Sequence, residues 1–525
     1  MRWMVWECQF ARGSKYRRST RPVKTLTLIC LGVLLTALAL PSWSAAPTLE
    51  HFHPPGIAVG STNSVRVIGK FEPWPPKIWV DVPGIDFLAQ TNKGEFQVIV
   101  SPEATPGVRL IRLHNEEGTS EPRPFAIGAG PELVEAEPND HFAKTQVIPA
   151  LPQTLSGRLE KNGDVDSFAV ALKAGEQLEA RIDSVVLMSR LDAVLRLVTT
   201  NGQQLAWNHD FATIDPRLAW TTDRDQTVVV QVFGFPYPAT ADVRLTGGDG
   251  AIYRLHLGLA DAKATSTPQL DLTVDPPPEV ELNFATTNCI RTPGQLQRVR
   301  LHVTEPGWIA AEVRAESIGS PLDAWLRLDD QDGKQISRND DANETRDPYL
   351  EWQATTNSDY TIVVGSLTRQ AGDGERFELA IKRVEPDFKA MAAASSLTMK
   401  PGTTNEFKVT VTRMRGFTNE LQLLAKELPS GVTCEPVTVS GKSAEAKLVF
   451  VAQADAAAVQ GPFGVQVRDL VSGSERPVPF FLAGSSTDNG VPGGYRVLLA
   501  DRTETLWLTV LAVEKPAAPA ATAAK

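Results

Sequence analysis

The chain has 525 residues, 42% hydrophobic and 22% charged, with a formal net charge of −10 and four cysteines. That length is too great for one core and, at roughly 100–200 residues per domain, allows three to five. The acid excess excludes nucleic acid, which needs a basic face, and so few cysteines exclude a disulfide framework.

Residues 1–24 carry seven basic residues against one acid, a net of +6, so the rest of the chain stands at −16. "TLTLICLGVLLTALAL" follows, sixteen residues without a charge, and then "PSWSAAP". Basic, apolar and small residues in that order read as an export signal over 1–46, cleaved after Ser44 or Ala46. The apolar run is shorter than the about 20 residues of a comfortable membrane span. A membrane is therefore involved only through this segment, if it stays uncleaved. The protein is expected in the periplasm, on the cell surface or secreted, and its acidity suits either plain solubility or contact with divalent cations.

Residues 47–130 read as a first sandwich. His51 and His53 in "HFH" lie two apart, on one side of a strand, as either a metal pair or a frayed polar terminus. Trp74, between prolines in "EPWPPKIW", is the candidate recognition anchor. Residues 131–260 form the next unit. Phe168, Val170 and Leu172 alternate with other residues, as do Leu178, Ala180 and Ile182, then Val228, Val230 and Val232, then Tyr253, Leu255 and Leu257. Such alternation puts one face in a core and one in water, the habit of antiparallel sheets. The turns "KNGD", "TNGQ" and "TGGDG" separate the runs.

Residues 268–386 repeat this unit: 320–336 agree with 189–205 at nine of seventeen positions. A last sandwich over 395–485 carries Phe407, Val409 and Val411 in alternation, and 486–525 hold C-terminal strands and a disordered Ala/Pro tail, "EKPAAPAATAAK". The fold class is all-β: about four tandem antiparallel β-sandwiches in a row after the signal segment, without a long amphipathic helix. Repeating one sandwich lengthens the rod and doubles a binding surface.

No H-E-x-x-H or G-x-S-x-G occurs, no catalytic residue is assigned, and a non-catalytic protein is expected. Cys289 and Cys434 remain after export, as one bridge or as two separate thiols. Asp192 and Asp323 begin a strand in both copies and either hold a cation or accept backbone N–H groups in a turn. Trp220 and Trp352 fall on the core face with Leu218 and Leu350. Asp210, Asp215, Asp340, Asp341 and Asp347 lie in acidic loops, as solvated turn acids or a second weak cation site. Glu135, Glu137 and Asn139 share one side of an extended segment, with Asp140 beside them at the turn. Asp164 and Asp166 continue the face of Phe168 and Val170, just past the rim of the core, where unpaired charge is costly. A hard cation with six to eight oxygen ligands relieves that cost; a hydrogen-bonded acidic linker without an ion is the alternative.

"EAEPND" at 135–140, "GDVDSFAVALKAGEQLEARI" at 163–182, then "SRLDAVLRL", "NGQQLAWNHD", "DPRLAW" and "YRLHLGL" together resemble the bacterial pre-peptidase C-terminal (PPC) domain, a small secreted β-sandwich often found beside exported proteases. The resemblance implies calcium as cofactor, held by Glu135, Glu137, Asn139, Asp140, Asp164 and Asp166. The second copy keeps "SPLDAWLRL", "DGKQISRNDD" and "DPYLEW" but has "GQLQRV" at 294–299 in place of "GDVDSF". Gln295 and Gln297 thus replace both aspartates, and calcium is expected in the first copy only. "EVELNF" at 279–284 echoes "EAEPND" but lies much closer to the following strand and is not its equivalent. The flanks "HPPGIAVGSTNSVRVIGKF" and "GVRLIRLHNEEGTSEPRPFAIG" resemble a TIG-type immunoglobulin-like module. The segment beginning "LTMKPGTTNEFKVTVTRMRGF" resembles bacterial Ig-like adhesion and carbohydrate-associated modules. This module order is similar to exported multidomain proteins of planctomycete-type bacteria. It implies a binding or structural protein whose partner is an extracellular or periplasmic protein or polysaccharide; the alternative is an accessory or targeting component of a secreted peptidase or other hydrolase.

Overall fold

Each run of alternating apolar residues becomes a strand with its apolar face buried. Phe168, Val170 and Leu172 lie in Asp166–Leu172, Leu178, Ala180 and Ile182 in Gln177–Asp183, and all six belong to one core. A computed structural model describes residues 45–211, 214–237, 244–260, 270–342, 345–483 and 499–512. The export signal up to residue 44 and the Ala/Pro tail beyond 512 lie outside the described residues.

Eight sheets pair into four sandwiches, each around its own core. A ninth, two-stranded sheet joins Phe480–Ala483 to Leu499–Thr503. Pairing is mostly antiparallel, but short parallel pairs occur at sheet edges, such as Gly56–Ala58 on Arg123–Gly128 and Glu132–Val134 on Gln153–Arg158. The fourth sandwich also takes in Asp387–Ala392 and Leu506–Val510, beyond the 395–485 read from the sequence. Its last strand pairs with both Ser396–Met399 and Val459–Asp469, so the sheet needs residues from well past 485. Helix among the described residues is limited to the 3₁₀ turns Val185–Leu187 and Glu316–Ile318, and no helix there is long and apolar enough to cross a membrane. Cys289 and Cys434 are both free thiols.

The second and third sandwiches are one design built twice. Val232 pairs with both Asp166 and Leu195; Val364 pairs with both Gln297 and Leu326. Gln297 therefore occupies the place of Asp166, and Gln295 that of Asp164. Glu279–Val280 pairs parallel with Gln297–Val303 as Gln146–Val147 pairs with Asp166–Leu172. "EVELNF" thus begins on the counterpart of a different strand from the "EAEPND" segment.

The sandwiches do not lie in a row. The first meets the second where Ser156 Oγ donates to Gly56 O at 3.3 Å and Ala126, Leu187 and Ile252 pack together. Between the second and third, Arg217 Nη1 donates to Gly319 O at 3.4 Å. Arg415 Nη1 of the fourth reaches Glu351 Oε2 of the third at 3.1 Å. The fourth also returns to the first: fully buried Arg112 donates to Ser395 O at 3.0 Å and to Ser120 O at 3.0 Å, and Trp79 packs on Trp507 at 5.7 Å. The contacts close a cycle, which corrects the rod. Alternation along a strand reports which face is buried within a sandwich; it carries nothing about which sandwiches meet.

Candidate metal centre

Of the six residues expected to gather, the five carboxylates do so. Glu135 and Glu137 follow the short strand Glu132–Val134, and Asp166 opens the strand Asp166–Leu172. Asp164 sits in the turn "KNGD", where Gly163 takes φ +91°, a left-handed conformation that favours glycine. Its amide bonds to Lys161 O at 3.1 Å, and its Oδ2 accepts from the Glu160 amide at 2.5 Å. One oxygen from each of Glu135, Glu137 and Asp166 lies within 4.8 Å of the others, and the same holds for Glu137, Asp140 and Asp164. Glu137 joins the two groups.

The cluster is short of partners. Asn139, Asp164 and Asp166 are at most 1% exposed, yet both side-chain atoms of Asn139 and one oxygen of each aspartate make no hydrogen bond. Lys161 Nζ stands 3.5 Å from Asp140 and 3.9 Å from Asp164. Tyr253 donates its hydroxyl to Asp166 Oδ2, Arg158 its amide to Glu135 Oε2 at 3.2 Å, and Asn139 its amide to Glu137 Oε2 at 2.8 Å.

Burial, with Glu135 adding repulsion, pushes the Asp166 carboxyl up to about 9. Burial and then the hydrogen bond with Asp140 push Asp164 up to about 6, while that same bond holds Asp140 below the usual carboxylate range. Burial, with Glu137 and other acids adding, pushes Glu135 up to about 7. Buried carboxyls that resist ionisation and orphaned oxygens mark a place where positive charge is wanted. An all-oxygen donor set of this size suits a hard divalent cation. Tyr253 was missed from the sequence, although the repeat holds its signal: register places Phe377 where Tyr253 stands.

At the equivalent place the described residues of the second copy form no such set. Gln295 Oε1 accepts from the Arg291 amide at 2.6 Å, as Asp164 does from Glu160, and Gln297 Nε2 donates to Cys289 O at 2.9 Å. Neutral amides hold the turn without the charge.

The remaining candidates fall elsewhere. Trp74 is half-buried against Phe71 and Phe96, with ring centroids 5.5 and 5.1 Å away, so its ring is engaged inside its own sandwich. A prolyl loop folded back on the core is indistinguishable in sequence from an exposed one. Among the described residues, Trp207 is an exposed aromatic, 60% exposed, on the strand Gln204–Asn208. His51 and His53 are not frayed: they lie in the paired strand Thr48–His53, neither joins a metal-ligand group among the described residues, and burial pushes both down to about 4. Trp352 is buried in the third core and Trp220 packs against the second. Asp215 and Asp347 are caps rather than solvated acids. Asp347 accepts from the amides of Ala315, Glu316 and Ser317 at 2.7, 2.8 and 3.0 Å, and Asp215 accepts from Ser184 and Val185, both at 3.0 Å. Asp192 has a side-chain partner instead: its Oδ1 lies 3.0 Å from His209 Nε2. Asp323 Oδ1 makes no hydrogen bond. Asp340 and Asp341 lie close enough to Asp323 to raise its affinity for a proton, behind burial and against Arg346.

No family model matches the sequence, and no curated protein matches it. Among solved structures, the chain is similar to the pre-peptidase C-terminal domain of a collagenase from Bacillus anthracis at 14% identity over 20% of this chain and 93% of that one, with a TM-score of 0.17. It is similar to the fibronectin(III)-like modules of Clostridium thermocellum CbhA at 12% identity over 41% of this chain and 93% of that one, TM-score 0.13. It is also similar to the M60 catalytic domain with two CBM51 domains of Clostridium perfringens ZmpB at 7% identity, TM-score 0.14; 65% of this chain aligns, spanning 55% of that one.

Proposed function

We propose that the chain is a non-catalytic exported protein that binds or presents a partner outside the cytoplasm, with calcium holding the junction of its first two sandwiches. The observation that carries this reading is the acid cluster: five carboxylates and a buried orphaned amide gathered where the first sandwich gives way to the second. Glu135, Glu137, Asn139, Asp140, Asp164 and Asp166 would hold the ion, which supplies the positive charge that the cluster lacks. The protein's own residues do the rest: Tyr253 orients Asp166, and the "KNGD" turn fixes Asp164. The basic, apolar and small-residue order of the first 46 residues supports export. The exposed ring of Trp207, with Arg196 lying 4.9 Å over Phe233 on the adjoining strands, supports recognition of a protein or polysaccharide.

Thermal unfolding of the full chain with calcium and with chelator tests the ion. Extracellular calcium modules bind at roughly 10⁻⁴–10⁻³ M, and at ten times Kd binding adds about 1.4 kcal/mol of stability. Calcium should raise the midpoint in the wild type and leave Asp164→Asn/Asp166→Asn unmoved. An equal shift in both proteins would place the ion elsewhere.

A further inference from the structure

The sheet that carries Asp166 on its inner face carries a second group of metal-ligand type on its outer face. Asp192 pairs with Phe235 across the strands Leu191–Thr199 and Gln226–Pro236, so the two side chains share a face. Leu195, three residues on, points into the core, which puts Asp192 on the opposite side. Tyr237 is two residues beyond Phe235 and falls on that same face. His209, just past the strand Gln204–Asn208, packs edge-on against Phe235 at 5.8 Å. Its ring stands between two acids: Nε2 is 3.0 Å from Asp192 Oδ1, and Nδ1 is 3.8 Å from Asp210 Oδ2. One donor atom from each of the three lies within 4.8 Å of the other two.

A second observation points to a ligand. Tyr237 is 7% exposed, and its hydroxyl has no hydrogen-bond partner although the Asp192 carboxylate acts on it. A buried phenol on the same face as an acid and an imidazole, yet bonded to neither, leaves a donor oxygen unused. The surrounding charge is spare too: Arg346 of the third sandwich faces Asp210 but is itself paired with Glu316 at 3.2 Å.

We infer that Asp192, His209 and Asp210, with Tyr237 beside them, form a site for a divalent transition ion of the zinc class on the outer face of the second sandwich. One imidazole nitrogen with carboxylate oxygens is a borderline donor set, favoured by such ions, whereas calcium takes oxygens alone and more of them. Zinc bonds of about 2.0–2.2 Å in a tetrahedron space the ligand atoms about 3.3–3.6 Å apart. Asp192 Oδ1 and His209 Nε2, 3.0 Å apart, fall just under that spacing, so an ion on Nε2 replaces their hydrogen bond with little movement of that pair, while Asp210, which stands 3.8 Å from Nδ1, turns its carboxylate towards the ion. In the third sandwich the place of His209 is taken by Asp340, which leaves oxygens only and no imidazole.

The full chain, stripped with chelator and then given excess calcium, is dialysed against zinc and assayed for bound metal; cobalt(II) replaces zinc for visible absorption. Wild type should retain one equivalent and show the bands of a nitrogen- and oxygen-ligated cobalt ion. His209→Gln and Asp192→Asn, which keep hydrogen-bonding side chains, should each weaken zinc binding at least tenfold. Asp164→Asn/Asp166→Asn should bind zinc as wild type does, which separates this site from the calcium cluster. Retention of no zinc by wild type, or undiminished zinc in both His209→Gln and Asp192→Asn, would overturn the assignment.

Discussion

Asp166 and Tyr253 were exchanged as a pair between the two copies, for Gln297 and Phe377. The chemistry explains why they travel together. Tyr253 is buried and satisfies its hydroxyl on Asp166; once the carboxylate becomes an amide that bonds elsewhere, a phenylalanine leaves nothing unpaired. A pH dependence follows. Folding raises the Asp166 carboxyl from 3.8 to about 9. Below the lower value both states hold the proton and nothing is lost; as pH rises towards the upper value the unfolded chain ionises first, and the folded state loses stability. In chelator at pH 8, Asp166→Asn should therefore be more stable than wild type, on the order of 1 kcal/mol or roughly 2–4 °C in midpoint, with the gap closing as pH falls towards 4. Calcium reverses the sense: ligands must shed protons to bind it, so its affinity in wild type should fall as pH falls. Parallel melts from pH 4 to 9, with and without calcium, check both.

The two 3₁₀ turns show how the scaffold was copied while the charge was not. Each follows a core strand, and each is capped by the aspartate of a D-P pair thirty-odd residues later, Asp215 for Val185–Leu187 and Asp347 for Glu316–Ile318. Asp347 holds three amides while almost wholly buried. Asp347→Ala should destabilise the third sandwich by about 2–3 kcal/mol, seen in chemical denaturation, while Asp347→Asn should recover part of the loss. The sequence made these two acids visible but gave them the wrong surroundings, because a loop acid looks the same whether water or a distant turn satisfies it. Strand faces were far more legible. Val228, Val230, Val232, Leu255 and Leu257 reach the second core as alternation requires, and Phe407, Val409 and Val411 reach the fourth. A period of two says only which carboxylates of one segment share a side; that the acids of 135–140 and of 164–166 belong to one set was implied by the resemblance to the PPC domain. Tyr253 and His209 were not legible, since each meets its partner through strand register across 87 and 17 residues.

At the scale of the molecule, the seam between the first and fourth sandwiches rests on Arg112. Its guanidinium is fully buried and also lies near Glu121, whose Oε2 accepts from Ser395 Oγ at 2.6 Å. Removing it strands two carbonyl oxygens, those of Ser120 and Ser395. Arg112→Ala should weaken the seam by about 2–3 kcal/mol, detected as new protease sensitivity at Ser395 and a larger radius in solution scattering. No local pattern in the sequence joins residues 283 apart, as Arg112 and Ser395 are. A closed cycle has one seam more than four bodies need to stay together. A protease that severed the backbone between the second and third sandwiches would leave a molecule held by the returning path through the first and fourth sandwiches. Such a nicked protein would migrate intact under native conditions and fall into two pieces only in denaturant. Damage to one connection is therefore survivable, and failure takes two independent breaks.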